Sequence, residues 1–432
     1  MKRFISYFTL LALLFYGKLV LSQDQLIPME KTDFRDSVFT GFADFWDTEF
    51  NFAVSFLEAE FQQDAELNNA VFNLSVDLTM VKFKNVDFQK ARFRSGVSFQ
   101  KTIFDSIANF SQVEFDSLVD FSYTQVWDQA KFYETRFAGP VDFVNMSFEN
   151  RVEFSETEFS EDVDFTNAIF DSLAIFHKVE FGGDVDFSNA ILPNELDFSY
   201  TTKISGEIDL TLATLNKKYD ICYINLVGAS VENFRFRYNR FRLWFPPEDT
   251  TIDFELKSNV YEALLQKQQE EGFTQSYEKL DKEYREFKYT GQGGTGLQRT
   301  WGHFSNWIDK NWWGYGYNKE LIVINTLILY LLFAFLNTFM LKHLTINVYE
   351  AEKINEFWNE ARGSGIGMFF RAIPFSLFYT AQIFFGFRFD MDKLKYKENL
   401  QGWKIFNLVY FITVYLSGLV CFAYLANYVV TV

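Results

Sequence analysis

Residues 163–170 read VDFTNAIF and residues 185–192 read VDFSNAIL, so the chain repeats one short stretch almost unchanged. Around this stretch, a large apolar residue, usually phenylalanine, recurs at steps of five and six residues from Phe45 to Phe198, with one slip in residue type at Val126; the steps alternate except between Leu78 and Phe93, where three steps of five follow one another. Neither a strand nor a helix has such a period. The pattern therefore predicts one small structural unit that is stacked many times along the chain.

Each copy of the repeat has an inner and an outer set of residues. A small or β-branched residue stands two positions before each large one, as Val163 does before Phe165. This is the same-face spacing of an extended segment, so we expect each short strand to point both side chains inward. The Asp, Ser, Asn and Thr residues between them suit the outer face and the corners.

This repeat resembles the pentapeptide-repeat family. The resemblance implies a right-handed, four-sided β-helix, a solenoid with Phe or Leu at the centre of each five-residue face. The alternation of five and six adds a residue at every second corner and lengthens each coil to about 22 residues. We expect the solenoid over residues 31–215, with about eight coils between residues 43 and 210. A cap over residues 216–250 is expected to shield its last phenylalanine layer.

The predicted solenoid is strongly acidic. Residues 43–210 hold 31 Asp and Glu against 11 Lys and Arg, whereas the whole chain has a net charge of −17. Two interpretations are open: the charge keeps a phenylalanine-rich rod soluble, or it mimics duplex DNA, as in some pentapeptide-repeat proteins that bind topoisomerases. We favour solubility and expect no nucleic-acid partner, because the N-terminus predicts export.

The N-terminus has the features of a secretory signal peptide over residues 1–22. A basic start is followed by an apolar run over residues 4–17, and Val20 and Ser22 stand three and one positions before the expected cleavage site. An uncleaved signal anchor is the alternative. In both cases the repeat domain is predicted on the extracytoplasmic side of a cell membrane, and we expect a bacterial source.

Residues 251–319 are predicted to connect the rod to the membrane. Two helical patterns, at about residues 252–269 and 274–289, resemble the helical hairpin that follows the repeats in membrane-linked pentapeptide-repeat proteins. We expect them to form a helical collar. Between residues 301 and 317 the chain is dense in Trp and Tyr, which is typical of the headgroup level of a bilayer.

Residues 320–432 are predicted to form an α-helical membrane domain. Two uncharged runs, 321–341 and 405–430, are long enough to cross the hydrocarbon core. Between them lies an apolar stretch, residues 368–387, that contains Arg371 and Pro374. A helix, a short aromatic segment and a last helix resemble the two-helix pore module of ion channels.

In that family the filter commonly reads TVGYGD. Phe384, Phe385, Gly386, Phe387 and Arg388 keep one glycine and the aromatic residue after it, but Phe384 replaces the threonine and Arg388 the second glycine. These residues are the predicted filter positions, together with Asp390, which comes one residue later than in the family; Gly418 is the predicted bend of the inner helix. The second glycine permits the backbone turn that potassium coordination needs, so we do not expect classical potassium selectivity.

The connector between the two predicted spans carries nine Lys and Arg residues from Lys342 to Lys404, which predicts a cytoplasmic location. A re-entrant segment over residues 368–390 that dips in from the cytoplasm is consistent with this charge. A full third span is the alternative, and it would place the basic residues after Phe387 outside.

The sequence thus predicts an exported, multi-pass membrane protein with an ion-channel-like pore module, contacting the lipid bilayer and ions. By analogy we expect a homo-oligomer, with a tetramer favoured. The alternative is a non-conducting anchored scaffold whose acidic rod binds a protein or envelope partner. We expect no enzyme, no cofactor and no metal site, because His177, His303 and His343 lie in unrelated segments and no nucleophile or carboxylate pair stands out.

Overall fold

The computed structural model describes residues 20–21, 32–247, 251–291, 296–351, 354–356, 366–387, 390–395 and 402–431. These residues form two compact units that meet in sequence between Tyr284 and Arg285. The predicted signal peptide lies outside the described residues apart from Val20–Leu21, which form a two-residue strand in parallel with Val38–Phe39. Each unit is described by itself below.

The first unit contains a β-solenoid of about nine turns, which confirms the fold that the repeat predicts; the repeat spacing alone predicts about eight coils between residues 43 and 210. Each turn has four short strands, and each strand pairs in parallel with the equivalent strands one turn before and after. Two of the four columns are joined into one sheet because the strands Glu60–Glu66 and Lys82–Asp87 run through both.

The strands of the first column, apart from these two, are Val20–Leu21, Val38–Phe39, Ile103–Phe104, Gln125–Val126, Ser147–Phe148, Ile169–Phe170, Ile191–Leu192 and Thr214–Leu215. Those of the second are Ala43–Asp44, Ala108–Asn109, Ala130–Lys131, Val152–Glu153, Leu173–Ile175, Glu195–Asp197, Cys222–Asn225 and Phe241–Leu243. Those of the third are Glu49–Phe50, Val71–Phe72, Arg92–Phe93, Glu114–Phe115, Arg136–Phe137, Glu158–Phe159, Glu180–Phe181 and Lys203–Ile204. Those of the fourth are Val54–Ser55, Val76–Asp77, Val97–Ser98, Val119–Asp120, Val141–Asp142, Val163–Asp164, Val185–Asp186, Ile208–Asp209 and Phe234–Arg235.

The interior of the solenoid consists of the residues that the repeat placed inside. Val163 and Phe165 are both buried. The ring of Phe165 stacks at 4.9 Å on Phe143 in the coil before and at 4.9 Å on Phe187 in the coil after. Val126, the one slip in the pattern, is buried in register with Phe104. The inward pair of each strand is therefore confirmed.

Alternate corners have a left-handed backbone even though no glycine stands there. Glu156 and Tyr200, for example, have φ of 59° and 57°. An L-residue in this region costs roughly 1 kcal/mol or more, so other contacts must hold it there. The amide of Glu156 donates to the carbonyl of His177 in the next coil at 2.8 Å, and Thr157 N donates across the turn to Phe154 O at 3.0 Å. The stacking of coils supplies the energy that holds these corners.

The Asp of the repeat fixes the chain as well as giving it charge. Asp164 Oδ1 accepts the N–H of Thr166 at 2.8 Å, and Asp142 does the same for Val144 at 2.7 Å. These aspartates stack in register in one column. Burial raises the pKa of Asp142, the Val144 hydrogen bond opposes this, and the Asp120 and Asp164 carboxylates raise it further. The column ends where Arg235, in register with Asp209, lies 3.6 Å from that carboxylate.

A short irregular region and two helices follow the last full coils. The irregular region contains the 3₁₀ turns Val231–Asn233 and Tyr238–Arg240. The two helices are α1 (Phe254–Glu270) and α2 (Thr274–Gly291). Glu283 accepts hydrogen bonds at 3.0 Å from Tyr238 Oη and Tyr261 Oη. Burial raises the pKa of Glu283, and both hydrogen bonds oppose that rise. This polar cluster ties the hairpin to the end of the solenoid.

The second unit is helical in its described residues. It contains the end of α2, then α3 (Gly296–Trp312), α4 (Glu320–Asn347), α5 (Ile366–Phe384) and α6 (Trp403–Thr431), with 3₁₀ turns at Gly314–Gly316 and Met391–Lys393. By length and composition, α4 and residues Trp403–Asn427 of α6 could cross a membrane, with mean hydropathies of 2.1 and 2.0. The two predicted spans are thus present as candidate membrane helices.

Candidate functional site

Of the predicted filter residues, Phe384 is the last residue of α5, and Phe385, Gly386 and Phe387 follow it directly. Helix α5 packs against both α4 and α6. Its inner face combines apolar residues such as Ala372 and Ile383 with hydroxyl residues Ser376 and Thr380, all of them buried. Hydroxyls inside an apolar helix bundle need hydrogen-bond partners, because an unpaired polar group there is costly. Their partners determine how α5 sits between its neighbours.

A small polar network joins the three helices. Asn337 Nδ2 of α4 donates to Thr380 Oγ1 at 2.7 Å, and Tyr410 Oη of α6 donates to Asn337 Oδ1 at 2.9 Å. Ser376 Oγ donates to the Ala334 carbonyl at 2.6 Å. Polar contacts of this kind hold membrane helices together where the hydrophobic effect does not. Asn337 is the centre of the network, since its amide group reaches both other helices.

The direction of α5 follows from its aromatic contacts with α4. Near the start of α5, the Phe369 ring lies 5.0 Å from Phe339. At its end, the Phe384 ring lies 6.0 Å from Phe333 and 6.2 Å from Tyr330. The start of α5 therefore lies near Phe339, and its C-terminal end stops beside the middle of α4.

After α5 the chain returns to the C-terminal end of α4. Tyr349 and Leu394 form an antiparallel bridge. Lys395 N donates to Val348 O at 2.9 Å, and the Lys395 ammonium lies 3.4 Å from the Glu350 carboxylate. Residues 390–395 therefore lie at the same end of α4 as the residues that follow Asn347.

The turn between these segments contains most of the predicted filter residues. Phe384 is buried and Phe385 is half-buried, so both pack within this unit. Gly386 has φ of +66°, a left-handed conformation that suits glycine, and Phe387 is 64% exposed. Asp390 N donates to Tyr349 Oη at 3.1 Å. Arg388 lies outside the described residues.

Gly418 lets α5 and α6 approach each other closely. A Cβ atom built there would lie 1.8 Å from the Phe384 carbonyl oxygen and 2.5 Å from its carbon. Only glycine lets the backbone of α6 come this near to the end of α5. The bend expected at Gly418 stays a prediction; in this structure α6 runs as one helix from Trp403 to Thr431.

Sequence reasoning missed the residues that hold the predicted filter segment in place. Asn337 had a visible signal, because it is one of the few amide side chains in the uncharged run 321–341. Tyr349 and Thr380 had no such signal in the sequence, since their hydrogen-bond partners are far away along the chain. Within the described residues, no group of His, Cys, Asp and Glu side chains could hold a metal ion.

Comparison with known proteins identifies the repeats. The family description "pentapeptide repeats (9 copies)" matches residues 67–111, 80–125, 99–147, 132–177 and 143–191. Residues 67–191 are therefore pentapeptide repeats, which confirms that part of the resemblance. No curated protein and no solved structure matches the chain significantly. The likeness of residues 320–432 to ion channels stays a prediction.

Proposed function

We propose that the chain is a membrane protein whose second unit contributes a re-entrant pore loop to an ion-conducting assembly, with the acidic solenoid on the extracytoplasmic side. One observation carries this proposal: the chain leaves α4 near Tyr349 and comes back to Tyr349 after α5. With α4 and α6 as the two spans, α5 then enters and leaves the membrane on one side. That is the topology of a pore loop and not of a third span.

The end of α5 suits a position near an ion path. Helix α5 ends at Phe384, two residues before Gly386, and a helix C-terminus carries roughly half a negative charge. In channels, backbone carbonyls and helix ends of this kind face the permeating ion. Phe387 is exposed next to Gly386, where a second copy could contact it.

A pore of this type needs several copies. In one copy, Phe384 is buried against α4 and touches Gly418, so the turn lines no passage of its own. A symmetric ring would bring the tips of several turns to one axis. A tetramer is favoured by analogy with the two-helix pore modules.

Arg388 sets the expected selectivity. A ring of arginines in a narrow constriction would repel cations, since charges interact strongly where water is scarce. We expect the purified chain in a planar bilayer to pass anions or little current, and Arg388→Ala to raise its permeability to cations. Lys395→Ala serves as the control, because that lysine pairs with Glu350 away from the turn.

Reversal potentials measured in salt gradients decide between the outcomes. A shift with Arg388→Ala and none with Lys395→Ala supports the proposal. Equal reversal potentials in all three proteins, with clear wild-type current, would remove Arg388 from the pore. The absence of current from every variant would contradict conduction itself.

A non-conducting anchored scaffold is the second candidate, and one observation favours it. The exposed side chains of α6 are mostly apolar, and they include Ile405, Val409, Ile412, Leu416, Leu419, Val420 and Phe422. The Thr413 hydroxyl donates to the Val409 carbonyl of its own helix at 2.9 Å. Such a surface suits lipid or another helix better than an aqueous pore lining. In the scaffold, the acidic rod would bind a protein or envelope partner.

A further inference from the structure

Helix α3, just before the first candidate span, has one strongly exposed apolar face. Leu297, Trp301 and Phe304 are 85%, 67% and 49% exposed. At about 100° per residue they lie on one side of the helix, within about 60° of each other. An exposed aromatic stripe of this kind on a soluble surface is unusual and marks a contact site.

The opposite face of α3 is already occupied. A Cβ atom on Gly302 would lie 2.8 Å from the Tyr289 carbonyl oxygen, so α2 and α3 approach closely there. Asp309 Oδ2 accepts a hydrogen bond from Tyr289 Oη at 2.5 Å, and Asn306 Oδ1 accepts one from Tyr315 Oη. These residues fix how α3 is rotated, and that rotation leaves Leu297, Trp301 and Phe304 facing away from α2.

The exposed face leads directly to the candidate membrane helices. Trp312 lies about 60° from Leu297 around the helix axis. Its ring is 6.3 Å from Tyr424 of α6, and Asn325 Nδ2 of α4 donates to the neighbouring Asn311 carbonyl at 2.7 Å. The side of α3 that touches the spans at its end is thus the side that is exposed along its length.

The charge of this region also differs from that of the rod. Residues 285–319 hold five Lys and Arg against two Asp and Glu, in a chain with a net charge of −17. A basic segment with exposed Trp and Phe suits the headgroup region of a bilayer, where anionic lipids attract the positive charge and aromatic rings lie at the boundary with the acyl chains.

We propose that α3 is an in-plane surface helix whose Leu297, Trp301 and Phe304 are inserted at the boundary between headgroups and acyl chains of the bilayer that α4 and α6 cross. The proposal rests on α4 and α6 as spans and not on conduction. Its partner is the lipid surface. It assigns a specific face of the predicted aromatic segment to lipid and the other face to α2.

Spin labels on single cysteines test this assignment in the full chain. Cys222 and Cys421 are both buried and are first replaced by Ala. Labels then replace Trp301 and Phe304 on the proposed lipid face, and Arg299 and His303 on the other side. The protein is reconstituted in vesicles of phosphatidylcholine and phosphatidylglycerol, and collisions with oxygen and with a water-soluble nickel chelate are measured.

We expect the ratio of oxygen to nickel collisions to be several-fold higher at residues 301 and 304 than at 299 and 303, because oxygen concentrates in the bilayer. Equal ratios at all four positions would overturn the proposal, since the two sides of α3 would then have the same environment. Labels at 301 and 304 that neither reagent reaches would also overturn it, because protein would cover the face. Leu297→Cys is a further variant on the same face if one substitution prevents folding.

Discussion

Phe165→Ala lowers the free energy of unfolding of the solenoid by about 3–5 kcal/mol. Phe165 is 0% exposed, and its ring stacks at 4.9 Å on both Phe143 and Phe187. The space left by the ring cannot close, because the coils are held at fixed spacing by backbone hydrogen bonds such as Phe165 N to Asp186 O at 2.8 Å. Urea unfolding followed by circular dichroism of the β-solenoid measures the loss.

Two control variants separate the interior from the outside. Phe42→Ala removes a phenylalanine that is 49% exposed, and we expect it to cost far less. Asp164→Asn keeps the oxygen that accepts the Thr166 N–H, so it should be nearly neutral. Similar losses for Phe42→Ala and Phe165→Ala would contradict the assignment of inner and outer positions.

Gly418→Ala has the second largest expected effect, and it acts on the second unit. The added Cβ would lie 1.8 Å from the Phe384 carbonyl oxygen, and a backbone atom cannot rotate away. The end of α5 must therefore shift from α6, at a cost toward the upper end of about 1–3 kcal/mol. The helix preference for alanine over glycine, roughly 1 kcal/mol, offsets only part of this.

Cys421 offers a direct readout of this effect, because it is buried three residues further along α6. In a Cys222→Ala background, a thiol-reactive dye reports the temperature at which Cys421 becomes accessible. We expect a clearly lower temperature for Gly418→Ala. Gly367→Ala is the matched control, since no other atom lies within 4 Å of a Cβ atom at that position in α5. An equal effect of both substitutions would show that the contact with Phe384 does not matter.

The solenoid could be predicted because each of its coils repeats the same pattern of inward and outward residues. One inward pair per strand, as at Val163 and Phe165, repeats often enough to fix the strand positions and the stack. The left-handed corners could not be predicted. Glu156 and Tyr200 have no intrinsic preference for positive φ, and hydrogen bonds from adjacent coils hold them there.

In the second unit, the two long apolar helices could be predicted from the sequence, but the contacts between the helices could not. The uncharged runs gave α4 and α6, because hydropathy depends only on composition. The network of Asn337 with Thr380 and Tyr410 depends on which faces of three helices meet. The same holds for Gly418, where the sequence suggested a bend and the structure places a close contact with Phe384.

The central claim is that residues 366–395 enter and leave the membrane on one side, opposite the rod. Side-specific labelling tests it most directly. In a chain without Cys222 and Cys421, single cysteines at Ser188, Glu356 and Lys395 are exposed to a membrane-impermeant maleimide in intact cells, or in spheroplasts if an outer membrane is present. Lysed cells serve as the reference for full labelling.

We expect the cysteine at position 188 to react in intact cells, and those at 356 and 395 to react only after lysis. This follows because Lys395 N is bonded to Val348 O, at the end of α4 that leads to residue 356. Labelling at position 395 in intact cells, with position 356 still protected, would mean that α5 crosses the bilayer completely. That result would contradict the re-entrant loop and the pore that depends on it.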